Sequence, residues 1–188
     1  MAMVTSTSNS WKLEYQHGTF VIWPPDAVRK PINELRKVHD PRSQSYCEAH
    51  ISLTPPLKRE LTEEHRKQLE AIFKDTPPFT ITLGAITTFP SSKVIYVEVE
   101  PQAQIRDLRE RLLATGLFAR SSYPNFTAHC TVSEFGTQSE AETKSLLESL
   151  RSRDLSGSFQ CCAAALIVPD ENFTFSVRRN FELGSSAG

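Results

Sequence analysis

The chain runs through one order of elements twice, and this duplication constrains its fold more than any other feature of the sequence. In the first pass, Phe20 to Trp23 reads as a short apolar strand stopped by Pro24-Pro25. A helix follows, with Pro31 in its first turn and Ile32, Leu35 and Val38 on one face. Cys47 to Thr54 is a strand closed by Pro55-Pro56. Thr62 opens a second helix, with Glu63 and Glu64 at the positive end of its dipole and Leu69, Ile72 and Phe73 as its buried stripe; Phe79 to Phe89 then alternates as a half-buried strand. In the second pass, Val94 to Val99 is a strand, Gln102 to Thr115 a helix stopped by Gly116, and Phe126 to Ser133 a strand. Ser139 to Glu142 is a capping box that opens another helix, Phe159 to Val168 is one buried strand, and Phe173 to Phe181 adds a last one. The two passes, offset by about eighty residues, predict an α+β fold: a two-lobed, pseudo-symmetric duplicated unit with antiparallel-rich sheets around a central cleft. The expected limits are a flexible N-terminus at 1–10, a single bilobal domain at 11–183 with lobes of roughly 11–92 and 93–183, and a flexible tail at 184–188. The last strand is free to cross between the lobes.

Composition narrows the range of partners. In 188 residues, 21 Lys and Arg stand against 22 Asp and Glu, a net charge of −1 that supplies no broad basic field for duplex nucleic acid. A nucleic-acid partner is therefore expected to be small, or an end. No apolar run approaches the roughly 20 residues that span a bilayer, and Met1 to Ser10 lacks the apolar segment of an export signal. The expectation is a monomer without membrane contact in the cytoplasm, with the nucleus as the other compartment. Cys47, Cys130, Cys161 and Cys162 follow no disulfide-framework spacing and read as reduced thiols.

The middle strand of each pass carries one short pattern, Ala49-His50-Ile51-Ser52-Leu53 and Ala128-His129-Cys130-Thr131-Val132. Side chains alternate across a strand, so His50 shares a face with Ser52, and His129 with Thr131. An imidazole beside a hydroxyl is a proton-transfer group next to a hydrogen-bond donor for an anion's oxygen. His17-Gly18-Thr19 also fits the short pattern, but it lies beside a Gly before the first strand and has no partner in the second pass. Context, not the pattern alone, separates the other two.

These residues resemble the 2H phosphoesterases, which include 2′-5′ RNA ligase-like proteins and cyclic nucleotide phosphodiesterases. The family signature is a His-x-(Ser/Thr)-x motif in each lobe, matched by His50-Ile51-Ser52-Leu53 and His129-Cys130-Thr131-Val132; Trp23-Pro24-Pro25 also looks like the family's usual start. The resemblance spans about Phe20 to Phe181. It implies a phosphoric diester hydrolase acting on a 2′,3′-cyclic nucleotide, ADP-ribose cyclic phosphate or a 2′-5′ linkage in small RNA-derived substrates, with no cofactor and no metal. His50 and His129 are then catalytic, and Ser52 and Thr131 bind the phosphate's non-bridging oxygens. Histidine can hold either proton-transfer role near neutral pH. The working assignment is His129 as base and His50 as acid, with the reverse left open by the likeness of the motifs. The alternatives are 2′-5′ RNA ligase activity and a non-catalytic module that binds RNA ends or nucleotides on the same fold.

The remaining candidates are peripheral. Tyr46, Tyr123, Phe126 and Trp23 are placed to stack a base, Arg178 to border the cleft, and Arg42-Ser43 and Arg120-Ser121 recur ahead of the two histidines. Tyr46, Tyr123, Phe126 and Arg178 are the substrate contacts taken forward. A zinc site is also conceivable from Cys47 near His50 and Cys130 beside His129, but odd separations on a regular strand put each Cys on the face opposite its His. Buried structural thiols are expected instead.

Overall fold

The computed structural model describes residues 10–121 and 125–184. Tyr123, and residues 1–9 and 185–188 of the flexible ends expected at 1–10 and 184–188, lie outside the described residues. After a short helix α1 (Ser10–Glu14), the chain forms β1 (Thr19–Ile22), α2 (Asp26–His39), α3 (Pro41–Tyr46), β2 (Ile51–Ser52), α4 (Glu63–Lys74) and β3 (Phe79–Thr88). The second half adds β4 (Ile95–Glu100), α5 (Gln102–Leu113), β5 (His129–Ser133), α6 (Glu140–Leu150), β6 (Gly157–Cys161), β7 (Ala163–Pro169) and β8 (Phe175–Glu182).

Side-chain caps set the starts of α4 and α6, while α2 and α5 start directly after a proline. The Thr62 side chain accepts from the His65 amide, and Ser139 and Glu142 form the expected capping box. Three elements differ from the sequence reading. First, α2 begins at Asp26, directly after the two prolines, so Pro31 lies inside the helix rather than in its first turn. Second, the strand expected from Cys47 shrinks to Ile51–Ser52, because the preceding residues have other partners. The Cys47 amide closes the last turn of α3 on the Ser43 carbonyl, and the Ala49 amide donates to Asn33 Oδ1 at 2.7 Å. Third, the single strand expected over Phe159 to Val168 breaks at Cys162 into β6 and β7, which pair with different partners.

All eight strands form one antiparallel sheet in the order β6-β3-β4-β5-β2-β1-β7-β8, curled into a half-barrel. The link at Cys162 explains the curl. One residue joins the edge strand β6 to β7, which is next to last at the other end, so the two ends of the sheet must approach each other. Strand pairing also interleaves the halves of the chain: β3 pairs with β4 and β6, while β7 lies between β1 and β8. Each half of the sheet thus takes strands from both sides of the expected boundary at residue 92. The halves meet where β2 pairs with β5, Ile51 opposite Cys130.

The main core lies on the helix-covered face, where Phe20, Ile22, Ile51, Leu53, Val97 and Cys130 pack with Leu69 and Phe73 of α4 and Ile105 and Leu108 of α5. Ile51 and Cys130 point into this core, so the residues flanking them point to the opposite, concave face. Among the described residues no helix is long and apolar enough to cross a membrane.

Ile51 is fully buried and pairs with both Ile22 and Cys130 at the junction of the two halves. Replacing it with Ala should lower the unfolding free energy by about 2–5 kcal/mol, read from the urea midpoint at constant m.

Candidate active site

The antiparallel register at Ile51 and Cys130, carried one residue either way, sets His50 opposite Thr131 and Ser52 opposite His129. Each histidine therefore has its own motif's hydroxyl two residues along the strand and the other motif's hydroxyl directly across from it. The histidines sit on the diagonal of this rectangle, where such neighbours lie about 7–8 Å apart with their Cβ atoms somewhat closer. Both rings are half-buried, Thr131 is half-buried and Ser52 is exposed.

Both rings are held in the same way. His50 Nδ1 lies 2.7 Å from the Glu48 carbonyl and His129 Nδ1 lies 2.8 Å from the Thr127 carbonyl, in each case the residue two positions earlier. A carbonyl only accepts, so each Nδ1 carries the proton and donates, leaving the Nε2 lone pair on the cleft side. Among the described residues, neither Nε2 nor the Ser52 and Thr131 hydroxyls make a hydrogen bond within the protein. Their hydrogen-bonding capacity is unused within the described part of the protein.

The helices behind the sheet repeat the arrangement. The Ala49 amide donates to Asn33 of α2, and the Ala128 amide donates to Gln102 Oε1 of α5 at 2.8 Å, so a side-chain amide anchors the residue before each histidine. Arg36 of α2 is buried and donates from Nη1 to the Thr131 carbonyl and from Nη2 to the Cys47 carbonyl, both at 2.8 Å. Arg109 of α5 is buried and donates from Nη1 to the Leu53 carbonyl at 2.7 Å. Each helix thus grips the motif strand of the other half. Each arginine is steadied by a serine, Arg36 by Ser43 Oγ at 3.1 Å and Arg109 by Ser121 Oγ at 3.2 Å.

The model of the 2′-5′ RNA ligase superfamily matches residues 24–172. The chain belongs to this family. Among curated relatives, a predicted phosphoesterase of Bacillus cytotoxicus is 31% identical over 170 residues, covering 89% of this chain and 96% of that protein. One from Bacillus cereus is 30% identical over 167 residues, covering 87% and 95%. Among solved structures, Escherichia coli LigT in complex with 3′-AMP superposes with a TM-score of 0.61 at 19% identity, covering 89% of this chain and 98% of that one. LigT in complex with NADP+ gives 0.57 at 19% identity, covering 92% and 99%. The shared fold is that of the 2H phosphoesterases, and the family and its relatives support an enzyme acting on phosphodiesters.

Within this family fold, the other residues singled out from the sequence have separate fates. Trp23 lies beside His50, its ring nearly parallel at 7° and 6.4 Å between centroids, with the Arg29 guanidinium 5.0 Å over the indole. Tyr46 does not reach the histidines. Its ring packs against Trp11 at 5.6 Å and Phe173 at 6.1 Å, because α3 turns it toward α1. Phe126 packs against the main core and carries Arg109 at 4.2 Å, which turns it from the cleft toward α5. Arg178 is exposed on β8 next to the register shift and has no hydrogen bond or ion pair among the described residues. Arg42 covers the Phe135 ring at 4.6 Å; in the recurring Arg-Ser pairs the serine is the working member. Cys47, set off the strand by the end of α3, brings its Sγ within 3.3 Å of His50 Nδ1 instead of lying on the opposite face. Among the described residues no group of three or more His, Cys, Asp or Glu is placed to hold a metal ion.

Phe89 and Tyr96 were not legible in the sequence as site residues. Tyr96 opposes Thr131 across β4 and β5, and both rings pack against His129, at 5.1 and 5.2 Å. The only signal was the alternation of Tyr96 and Glu98 with core residues in β4, and it does not say which strand lies alongside.

Burial dominates the electrostatics. Desolvation lowers the pKa of both histidines, and His50 falls to about 4 with the Arg36 charge and His129 contributing further. The Cys47 and Cys130 thiols are pushed up to about 12 by burial and stay neutral. As pH falls from 6.5 toward 4, the unfolded chain protonates at His50 while the folded chain does not, so this contribution to stability is complete above that window and is lost through it. In His50→Ala, the drop in unfolding free energy between pH 7 and pH 4.5 should be smaller than in the wild type, by roughly 1–3 kcal/mol. Urea titrations at the two pH values measure the difference.

Proposed function

We propose that this chain is a metal-independent phosphodiesterase that hydrolyses a cyclic phosphate, of a 2′,3′-cyclic nucleotide or of ADP-ribose, or a 2′-5′ linkage in a small RNA-derived substrate. The observation that carries the reading is the rectangle on the concave face: two diagonal imidazoles with unprotonated Nε2 atoms and two hydroxyls with no partner. Cleaving a phosphodiester needs a base for the attacking oxygen and an acid for the leaving one, on opposite sides of phosphorus. Imidazoles on a diagonal meet that need. Ser52 and Thr131, on the other diagonal, donate to the non-bridging oxygens, where charge builds in the transition state. Aromatic rings flank both ends of the diagonal, Trp23 beside His50 and Phe89 and Tyr96 against His129.

Small nucleotides fit this reading better than long nucleic acid. LigT, the structural relative, has been crystallised with 3′-AMP and with NADP+, and the net charge of −1 here offers few phosphate contacts beyond one. Ligation of 2′-5′ ends is the reverse of the same transition state, and it is the second reading, favoured by the family match.

The test is a panel of 2′,3′-cyclic mononucleotides, ADP-ribose cyclic phosphate, and 2′-5′ and 3′-5′ dinucleotides, assayed in excess chelator with products resolved by phosphate position. The wild type should turn over at least one of the first three classes at a rate unaffected by chelator. His50→Ala and His129→Ala should each lose at least 10²-fold in kcat, and Ser52→Ala and Thr131→Ala about tenfold or more. Near-normal turnover in either histidine variant ends the two-histidine scheme. Nucleotide binding that survives both changes, with no product from the wild type, identifies a binding module.

A further inference from the structure

A cavity of about 550 Å³ lies between α5 and the segment that leads into β5, its wall including Arg106, Arg109 and Glu110 of the helix and Asn125, Phe126 and Thr127 of the segment. Ala128 and Cys130 are buried in the main core and Phe126 packs against it, so alternation puts Thr127 on the concave face with His129 and Thr131. The cavity thus takes Phe126 from one face of the sheet and Thr127 from the other, and it sits at the end of the strand where the two faces meet. Thr127 is two residues before His129, at most about 7 Å of extended chain, and its carbonyl holds the His129 ring.

The charge of this cavity is positive and poorly matched. Arg109 is 7% exposed, and its donors end on neutral acceptors, the Leu53 carbonyl and Ser121 Oγ, with the Phe126 ring 4.2 Å away. Among the described residues, the titratable group that acts on its charge is a phenol, Tyr15, and not a carboxylate. Arg106, one turn earlier on α5, is exposed and makes no hydrogen bond or ion pair among the described residues. Glu110 stands four residues after Arg106, the spacing of a helical ion pair, yet it pairs with neither arginine. Asp107 turns the other way, to Arg111 at 3.9 Å, and Arg111 to Asp75 at 2.7 Å. Two cations against one carboxylate leave a net positive charge, and Asn125 adds an exposed side-chain amide with no hydrogen bond among the described residues. Guanidinium groups match the oxygens of a phosphate, and the volume has room for a sugar beside it.

We propose that this cavity is a second phosphate site, in which Arg106 and Arg109 hold a phosphate on the 5′-carbon of the ribose whose scissile phosphate lies between His50 and His129. This inference rests on the two-histidine reading above and narrows its substrates. ADP-ribose cyclic phosphate carries a diphosphate on the 5′-carbon of its cyclised ribose, and a 5′-phosphorylated 2′-5′ dinucleotide carries a phosphate at the same place. A simple 2′,3′-cyclic mononucleotide has none. In both favoured substrates a single ribose joins the two phosphates, a reach comparable with the two residues that separate Thr127 from His129. Arg109 also has a structural task, gripping the Leu53 carbonyl. Arg106 has no such task among the described residues, which makes it the residue to change.

A pair of nucleotides tests it without turnover. Adenosine 2′,5′-bisphosphate and adenosine 2′-monophosphate differ only in the 5′-phosphate, and calorimetry on the wild type should find the bisphosphate tighter by about tenfold or more. Arg106→Gln should bring the ratio of the two affinities to within about twofold of one, and Arg106→Glu should put the monophosphate ahead. Lys144→Gln, which removes the same charge from an exposed position on α6, should leave the ratio at its wild-type value. Equal affinities in the wild type, binding of neither nucleotide, a ratio that survives Arg106→Gln, or one that falls as far in Lys144→Gln each overturn the site. Inorganic phosphate separates the substrate's own phosphate from a free anion. It should weaken binding of the bisphosphate, whereas a rise in affinity for the monophosphate as phosphate is added overturns the assignment to substrate. In turnover, 5′-phosphorylated 2′-5′ diadenylate should exceed its 5′-hydroxyl form by about tenfold or more in kcat/KM, and Arg106→Gln should erase that advantage. The affinities are read without catalysis, so a wild type that cleaves nothing in the panel defeats the proposed function while the ratio still decides the cavity.

Discussion

Two buried guanidinium groups reach across the centre of this protein, and the remaining features of the site depend on that crossing. Arg36 leaves α2 and binds the carbonyl of Thr131; Arg109 leaves α5 and binds the carbonyl of Leu53. Each is fixed by a serine from the loop or turn that precedes a motif. The β2–β5 junction is short, with Ile51 opposite Cys130 its only strand pair. So short a ladder specifies register weakly by itself. The arginines supply what the ladder lacks, because a donor fork aimed at a particular carbonyl tolerates no slip by one residue. A slip would turn His50 and His129 from the cleft into the helix-facing core.

The curl of the sheet gives the cleft its depth. Cys162 joins an edge strand to the seventh of eight, and the ends of the sheet are drawn together around the face that carries the four motif residues. That face keeps a small apolar cluster of Val21, Cys47, Ala165 and Ile167, with Trp23 and Phe175 packed against it, while the large core fills the other side. Two solvation environments on one sheet explain why the same strands carry both fully buried aliphatics and half-buried histidines. The lowered proton affinity of the imidazoles follows from the same burial.

Duplication makes a symmetric frame, and chemistry needs an asymmetric one. The side-chain amides of Asn33 and Gln102, the matching ring tautomers and the paired serines preserve the twofold relation. The neighbours of the rings break it. His50 has an indole alongside and a buried cation behind; His129 has Phe89 and Tyr96 against it and Glu98 across the ladder. Packing repeats between the halves where it holds the backbone and differs around the two rings.

The sequence by itself determined most of the helices and strands, their duplication and the two motifs, because these depend on short-range rules: period-two and period-3.6 burial, caps at Thr62 and Ser139, and alternation that sets His50 with Ser52 and His129 with Thr131. It also registered the recurrence of Arg42-Ser43 and Arg120-Ser121, without the knowledge that the serines mattered and that their partners were Arg36 and Arg109. Tertiary structure decided the rest. A single apolar run at Phe159 to Val168 became two strands at opposite ends of the sheet, since hydrophobicity reports burial and not partner. Tyr46 and Phe126 went to packing clusters, and Trp23, Phe89 and Tyr96 to the histidines, because an aromatic's neighbours depend on which strands and helices meet over long range. Cys47 reached His50 because α3, a turn of helix the local pattern did not announce, lifted it off the strand. Local propensity fixed the two motifs; the long-range pairing of β2 with β5, bridged by two crossing arginines, fixed that their four residues share one face.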